Sequence, residues 1–531
     1  MFIIKSQRKR ALALDEPLRH GSHKRPVTRR DFLAQGFTTG AATVVAPAML
    51  GALLNPNAAR SAALTGDVAT LKTTPCDIQD GAGRIPFICF DLAGGANIAG
   101  SNVLVGQAGG QLDFLSTQGY SKQGLPGDML PNNATTNFVN VELGLAFHSD
   151  SAFLRGILEK TTPATRANIN GAVIPARSEN DTGNNPHNPM YGIAKTGSRG
   201  ELLTLIGSQN SDSGGNSMAP MTMMDPGNRP TKIDRNSDVT GLVDTGDLGT
   251  LLEPQDTVEV LQTMALMSRA KLRNPNNIDY VSTNLPSDVT VKNQVMCGYV
   301  KTADTVAKFS DPTELNPAED TDITSIFGAN FGNDREFEKT AAVMKLVVPG
   351  YAGAGTISMG GFDYHTGDRS TGEDRDLRAG RAMGACLEYA ARQVPPKPLM
   401  LYVFSDGSLS SNGMVDSSTG GRGKGVWTGD NQQVAAAFFL IYNPTGRPTL
   451  LNEDGIPTTR RQQLGYFRKD GDVETAGSPA ANNVNLLVQT VLLNYMALHG
   501  PTEVANFNTL FGNALGTGAA LRSLVAFNPL A

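Results

Sequence analysis

Two stretches constrain this chain most: "PLMLYVFSDG" (398–407) and "QVAAAFFLIYNP" (433–444). Each holds an unbroken apolar run of strand length, closed by polar or turn residues. A strand that alternates apolar and polar residues can leave one face in water; an uninterrupted apolar strand needs cover on both faces. Such strands belong to mostly parallel sheets sandwiched by helices. Three shorter runs read the same way: "RIPFICFDLAGG" (84–95), "GAVIPARS" (171–178) and "GTISMGG" (355–361). The covering helices are legible too. Residues 254–272, 374–394 and 482–500 place apolar side chains at helical spacing, 334–350 reads as a helix running into a strand, and 137–161 reads as a loop and then a helix with Ser149 or Asp150 as its cap. Strands alternating with amphipathic helices predict an α/β fold. The stretch 208–238 is polar, rich in Gly and Pro and without period, and is expected to be a long loop insertion. There is no internal repeat, and no GxGxxG or GxxxxGK[ST] loop to cradle a nucleotide.

Charge is unevenly placed. The first 63 residues carry ten Lys/Arg and three Asp/Glu, which leaves 35 basic against 47 acidic residues in the remainder. A mildly acidic body without a basic stripe argues against nucleic acid as a partner. Within the basic segment, Thr28-Arg29-Arg30-Asp31-Phe32-Leu33 precedes a moderately apolar run with no charge from Phe32 to Ala59. This resembles a twin-arginine export signal, with "NAARSAAL" (57–64) as the cleavage region. The expected organisation is therefore a signal segment over 1–63, a linker over 64–83 and one large α/β domain over 84–531. The expected location is periplasmic or extracellular, with no stable membrane span in the mature form.

None of the four cysteines forms a CxxC pair, so a thiolate zinc site is not expected. Cys89 and Cys386 sit in apolar patterns and read as core thiols, whereas Cys76 and Cys297 flank turns and are candidates for a disulfide in an oxidising compartment.

In an open α/β sheet, ligands bind beyond the carboxyl ends of the strands. Three predicted strands end in polar residues there: Asp91 and Asn97, Asp363 and His365, and Ser405, Asp406, Ser408 and Asn412. In extended backbone, residues i and i+2 share a face, so Asp363 and His365 can address one ion. Carboxylate oxygen and imidazole nitrogen suit Zn, Mn or Fe. His148 and His187 adjoin predicted core elements and are the candidate acid/base residues; Ser101 and Ser408 are candidate nucleophiles in loops after strands. His499 closes the last helix, where its carbonyls are the expected partners. No GxSxG elbow occurs.

The order of these pieces resembles the domain-of-unknown-function family 1501, whose members are exported and have an alkaline-phosphatase- or sulfatase-like fold. "FDLAGG", "AFHSDSAFLRGI" (146–157), "ARSENDTGNNPHNPMYGIAKTG" (176–197), "GFDYH" and "FSDGSLSSNG" follow one another as the family's motifs do, over roughly residues 84–515. The resemblance implies an alkaline-phosphatase-like sheet and a metal-dependent phosphate or sulfate ester hydrolase. Asp363, His365 and Asp406 would be metal ligands, His148 or His187 a further ligand or acid/base group, and the ion Zn, Mn or Ca. The sequence departs from the family in four places. Asp406 replaces a glutamate, Ser408 an arginine, and Asn97 stands where the first Gly-Gly loop often has an acid. The stretch "TGGRGKGVWTGDNQQV" (419–434) has no histidine and carries Lys424 near the expected place, to hold an anion or fill the space of a cation. A two-metal site needs more ligands than remain. The expectations are thus an esterase with an altered metal site, acting on a small anionic ester, or a non-catalytic envelope protein that binds a partner protein.

Overall fold

The structure, a computed structural model, describes residues 64–78, 81–131, 137–179, 185–244, 254–273, 288–309, 312–367 and 369–530. The export signal expected over residues 1–63 lies outside the described residues. The chain divides into two units, 1–77 with 245–308 and 78–244 with 309–531.

The smaller unit is helical in its described part: Gly66–Thr73, Pro254–Arg273 and Asp288–Lys308. Val258, Leu261, Ala303 and Val306 form its core, with Leu64 packed against them. Cys76 and Cys297 are disulfide-bonded, 221 residues apart in sequence and 5.3 Å apart at Cα. Lys72 reaches Asp304 at 3.0 Å. The linker expected over 64–83 therefore contains a helix, and the single domain expected over 84–531 is interrupted. The helical period of 254–272 was visible in the sequence, but an apolar stripe does not say which core it joins.

In the larger unit the central strands are β1 (Phe87–Leu92), β2 (Ile169–Pro175), β3 (Leu203–Gly207), β4 (Thr231–Lys232), β5 (Ala352–Met359), β6 (Leu399–Phe404) and β9 (Ala436–Tyr442). Between the last two lies a separate antiparallel hairpin of β7 (Leu409–Asp416) and β8 (Lys424–Asp430). The seven-stranded sheet runs β2-β9-β6-β1-β5-β3-β4. β1 is parallel to β5 and β6, and β3 is parallel to β5 and β4. Only β9 runs against its neighbours, β6 and β2. The mostly parallel α/β class expected from the apolar strands is the observed one.

Both faces of the sheet are covered, as the unbroken apolar runs require. Along β1, Ile88, Phe90 and Leu92 enter one core cluster and Phe87 and Cys89 the other, which is the period-two alternation of a strand buried on both sides. The first face carries α1 (Ala152–Lys160), α2 (Arg335–Val347) and α3 (Arg369–Arg392); the second carries α4 (Val484–Ala497) and α5 (Pro501–Phe511). α1 and α3 meet through glycines. A Cβ at Gly156 would stand 2.4 Å from the Leu377 carbonyl oxygen, and one at Gly380 would stand 2.3 Å from that of Phe153. Any larger residue forces these helices apart. Ser151 caps α1, accepting from Leu154 N, where Ser149 or Asp150 was expected.

Local details differ from the sequence reading. The strand expected over 355–361 begins earlier, at Ala352, and ends at Met359, before Gly360 and Gly361. The 208–238 insertion returns to the sheet, where Ile206 pairs with Thr231 in parallel register. The polar-faced hairpin β7–β8 and the short strand β3 had no clear periodic signal.

Candidate metal site at the carboxyl edge of the sheet

The loops leaving β1, β5 and β6 converge at the carboxyl edge. Gly94 is the wedge between them. Its N–H donates to Asp406 Oδ1 at 2.8 Å, and a Cβ there would lie 2.8 Å from Asp363 N. Its φ of +119° also lies in the region that favours glycine. Ser405 Oγ locks the same loop, accepting from Ala96 N at 2.7 Å and donating to Leu92 O at 2.6 Å. The Gly-Gly pair after β1 is thus explained by close approach of three loops.

At the rim, Asp363, His365 and Asp430 bring one ligand atom each within 4.8 Å of the others. His365 Nε2 is 2.9 Å from Asp363 Oδ1, with the two side chains 34% and 63% exposed. Bonds of 2.0–2.2 Å put two ligands of one ion at most about 4.4 Å apart, and the longer bonds of Ca at most about 5 Å. The donor set therefore fits one ion after small side-chain adjustments, and its imidazole favours Zn or Mn over Ca. Asp406, expected as the third ligand, is not in this set. It lies buried beneath Gly94. The third member of the cluster is Asp430, at the end of β8. Sequence reasoning missed it because only the fold of the hairpin brings residue 430 beside residue 363. The available signal was the lone acid in "WTGDNQQ". A groove of about 460 Å³, lined by Glu179, Asp430, Asn431, Gln432 and Gln433, opens at the same residue.

Behind the rim lie two buried polar groups, one around Asp91 and one around Asn97. Asp91 Oδ2 accepts from Asn216 N at 2.6 Å and Ser217 N at 2.8 Å, and Oδ1 accepts from the Ser217 hydroxyl at 3.1 Å. Burial pushes its carboxyl up to about 7; the bonds from Ser217 and Asn216 oppose this, and the nearby Asp406 charge adds to it. Asn97 accepts from Ser101 Oγ at 2.7 Å through Oδ1, and its N–H donates to Tyr364 Oη. Tyr364 Oη donates in turn to Asp376 Oδ1 at 2.8 Å. Burial, with the Glu373 charge adding to it, raises Asp376 to about 7.

The candidate histidines are interior. His148 accepts from Asp150 N at Nδ1 (3.2 Å) and faces Met129 O at Nε2 (2.9 Å), so the neutral ring has both nitrogens engaged by backbone. Burial, then the charge of Lys424, lowers it to about 4. His187 Nε2 sits 2.8 Å from Ser178 Oγ, and the ring stacks on Phe404. Burial lowers it to about 3. Neither reaches the rim cluster, and neither is poised to take a proton at neutral pH. Ser101 is fully buried and spends its hydroxyl on Asn97, while Ser408 is buried with its carbonyl accepting from Asn431 N. Asn412 serves its own turn on β7, accepting from Met414 N.

Lys424, at the head of β8, is fully buried. Its ammonium donates to Glu373 Oε1 at 2.8 Å and Asp150 O at 2.7 Å, with Asp150 Oδ2 at 3.3 Å. Arg369 donates to the same Glu373 oxygen at 2.7 Å and lies over the Trp427 ring. Lys424 thus ties the hairpin to α3 and to the loop before α1 through a buried ion cluster, its ammonium seated between two carboxylates.

No family model, no curated protein and no solved structure matches the chain.

Proposed function

We propose that this is an exported protein of alkaline-phosphatase-like fold that binds one divalent cation through Asp363, His365 and Asp430 and, through that ion, an anionic ester or the carboxylate of an envelope partner. The carrying observation is the convergence of these three donors at the carboxyl edge of a mostly parallel sheet. Three protein ligands leave coordination positions open, which is how ions that meet a ligand are held, whereas structural zinc is closed by four. Export is supported by the Arg29–Arg30 motif and by the Cys76–Cys297 bond, which persists in oxidising compartments.

The bound cation would supply Lewis-acid polarisation of an ester or carboxylate oxygen. This chain's residues fix the cation's place. Gly94 and Asp406 hold the β1 loop against Asp363, and His365 stands within reach of the same ion. The groove beside Asp430 gives room for a ligand body lined by amides and carboxylates. Asp91 and Asp406 already accept backbone N–H donors, which argues against a second ion and so against a two-metal esterase. Hydrolysis at a single ion remains the second reading, favoured by the open positions of a three-ligand site.

The experiment is calorimetric titration of metal-free mature protein with Zn and Mn, followed by phosphate and sulfate monoesters screened for binding and turnover. Stoichiometric cation binding with ester binding but no turnover is expected. Absence of cation binding, or binding unaffected in the Asp363→Ala/His365→Ala double variant, would sink the reading.

A further inference from the structure

The opposite end of the sheet carries a second groove, of about 390 Å³, that the rim cluster does not explain. It lies where β1 and β6 begin, and the six residues of β1 put it about 20 Å from the carboxyl edge at roughly 3.3 Å per residue. Pro86, Pro349 and Pro398 wall it, and its polar side chains are Arg84, Lys397 and His499. No carboxylate lines it. The loops around it are set by close approach, since a Cβ at Gly350 would stand 2.7 Å from Ala82 N.

The nitrogen groups are unevenly matched. Arg84 spends one nitrogen on Glu503 Oε1 at 2.8 Å. Among the described residues the Lys397 ammonium meets no partner, and neither ring nitrogen of His499 meets a hydrogen-bond partner, so the helix carbonyls expected for His499 are not used. The other groups facing His499 are Tyr495, whose ring stands edge-on at 5.0 Å, and Glu503 on α5. An open groove lined by two cationic side chains and an imidazole, with no carboxylate among its lining residues, has the donors an anion needs; the neighbouring acids are spent, Glu503 on Arg84 and Glu201 on Gly81 N at 3.2 Å.

We propose that this groove binds a small oxyanion, a phosphate, sulfate or carboxylate group, held by Lys397 and Arg84 with His499 beside it. The ring is a built-in reporter. Burial, then the Arg84 charge, lowers it to about 4, with Glu503 acting the other way. An anion seated beside it favours the protonated form and raises that value.

The test uses the full mature chain and inorganic phosphate, with the side-chain nitrogens of His499 followed by NMR across pH and assigned with His499→Gln. Saturable phosphate binding that raises the His499 pKa by about one unit or more is expected. Lys397→Met should weaken it at least about tenfold, or about 1.4 kcal/mol. Asp363→Ala should leave it unchanged. Sulfate acting like phosphate would identify a site for tetrahedral oxyanions, and acetate acting alone a site for carboxylates. A His499 titration indifferent to all three anions, or binding lost in Asp363→Ala and kept in Lys397→Met, would overturn the proposal.

Discussion

His365 Nε2 lies 2.9 Å from Asp363 Oδ1 at the exposed rim, two residues apart on one face of the chain as it leaves β5. This pair is half of a donor set that Asp430 completes from the hairpin. If the set holds an ion, Asp430→Asn should weaken Zn binding as strongly as His365→Ala, at least about tenfold. Asp406→Asn keeps an oxygen to accept from Gly94 N and with it the place of the loop, so it should leave the affinity near that of the wild type and cost only stability. Calorimetric titration beside urea unfolding separates the two effects.

Asp91 sets a pH dependence of unusual sign for a carboxylate. Its folded pKa is about 7 against an ordinary value of 3.8, chiefly from burial. The folded state therefore keeps a proton that the unfolded chain has released. This contribution is whole below about pH 4 and is lost as pH rises through about 7, with an upper size of about 4 kcal/mol. Asp91→Asn is nearly isosteric. Its amide oxygen accepts the two N–H donors and its NH2 meets the Ser217 hydroxyl, so the variant should lose less stability than wild type between pH 5 and 8. Urea midpoints across that range measure it; an unchanged slope refutes the assignment.

His148 acts in the opposite direction. Its folded pKa is lowered from 6.5 to about 4, so the unfolded chain takes up a proton first. Its stabilisation is present above about pH 6.5 and lost as pH falls through about 4. His148→Gln keeps a donor for Met129 O and should flatten this acid limb, read from unfolding midpoints between pH 4 and 7.

Lys424 is a structural test case. Lys424→Met leaves Glu373 buried with Arg369 and Arg155 and removes the tie from β8 to the Asp150 carbonyl. Leaving a buried charge unpaired costs about 3–5 kcal/mol, and because Glu373 keeps two arginines the loss here should not exceed the lower end of that range, about 3 kcal/mol. A loss of that size, with Zn affinity unchanged in the folded fraction, is expected. A large fall in Zn affinity would instead assign Lys424 to the site.

The disulfide should matter to the smaller unit. Cys76→Ser/Cys297→Ser should destabilise it by about 2–5 kcal/mol, since the bond closes a long loop of the unfolded chain. The native protein should expose no thiol to an aromatic disulfide reagent, because Cys89 and Cys386 are buried and burial pushes both thiols up.

The sequence alone determined the sheet. Apolar runs such as 399–404 and 436–442 have no stable place except between two covered faces, so their positions, the α/β class and the site edge were legible from composition and period. The DxH pair was legible as well, because i and i+2 share a face locally. Three things were decided only by tertiary structure. Asp406 became a loop clamp and Asp430 a rim residue, because which acid reaches Asp363 depends on how the β7–β8 hairpin folds back, and hairpin register is not encoded in any local spacing. His148 and His187 became interior neutral rings, because burial is set by what the chain packs over them. Lys424 became an ion-pair hub, because its partners Glu373 and Asp150 stand 51 and 274 residues away in the chain and meet it only through the packing of α1 against α3. Periodicity records the faces of single elements. Long-range contacts depend on how those elements assemble, and no single element carries that information.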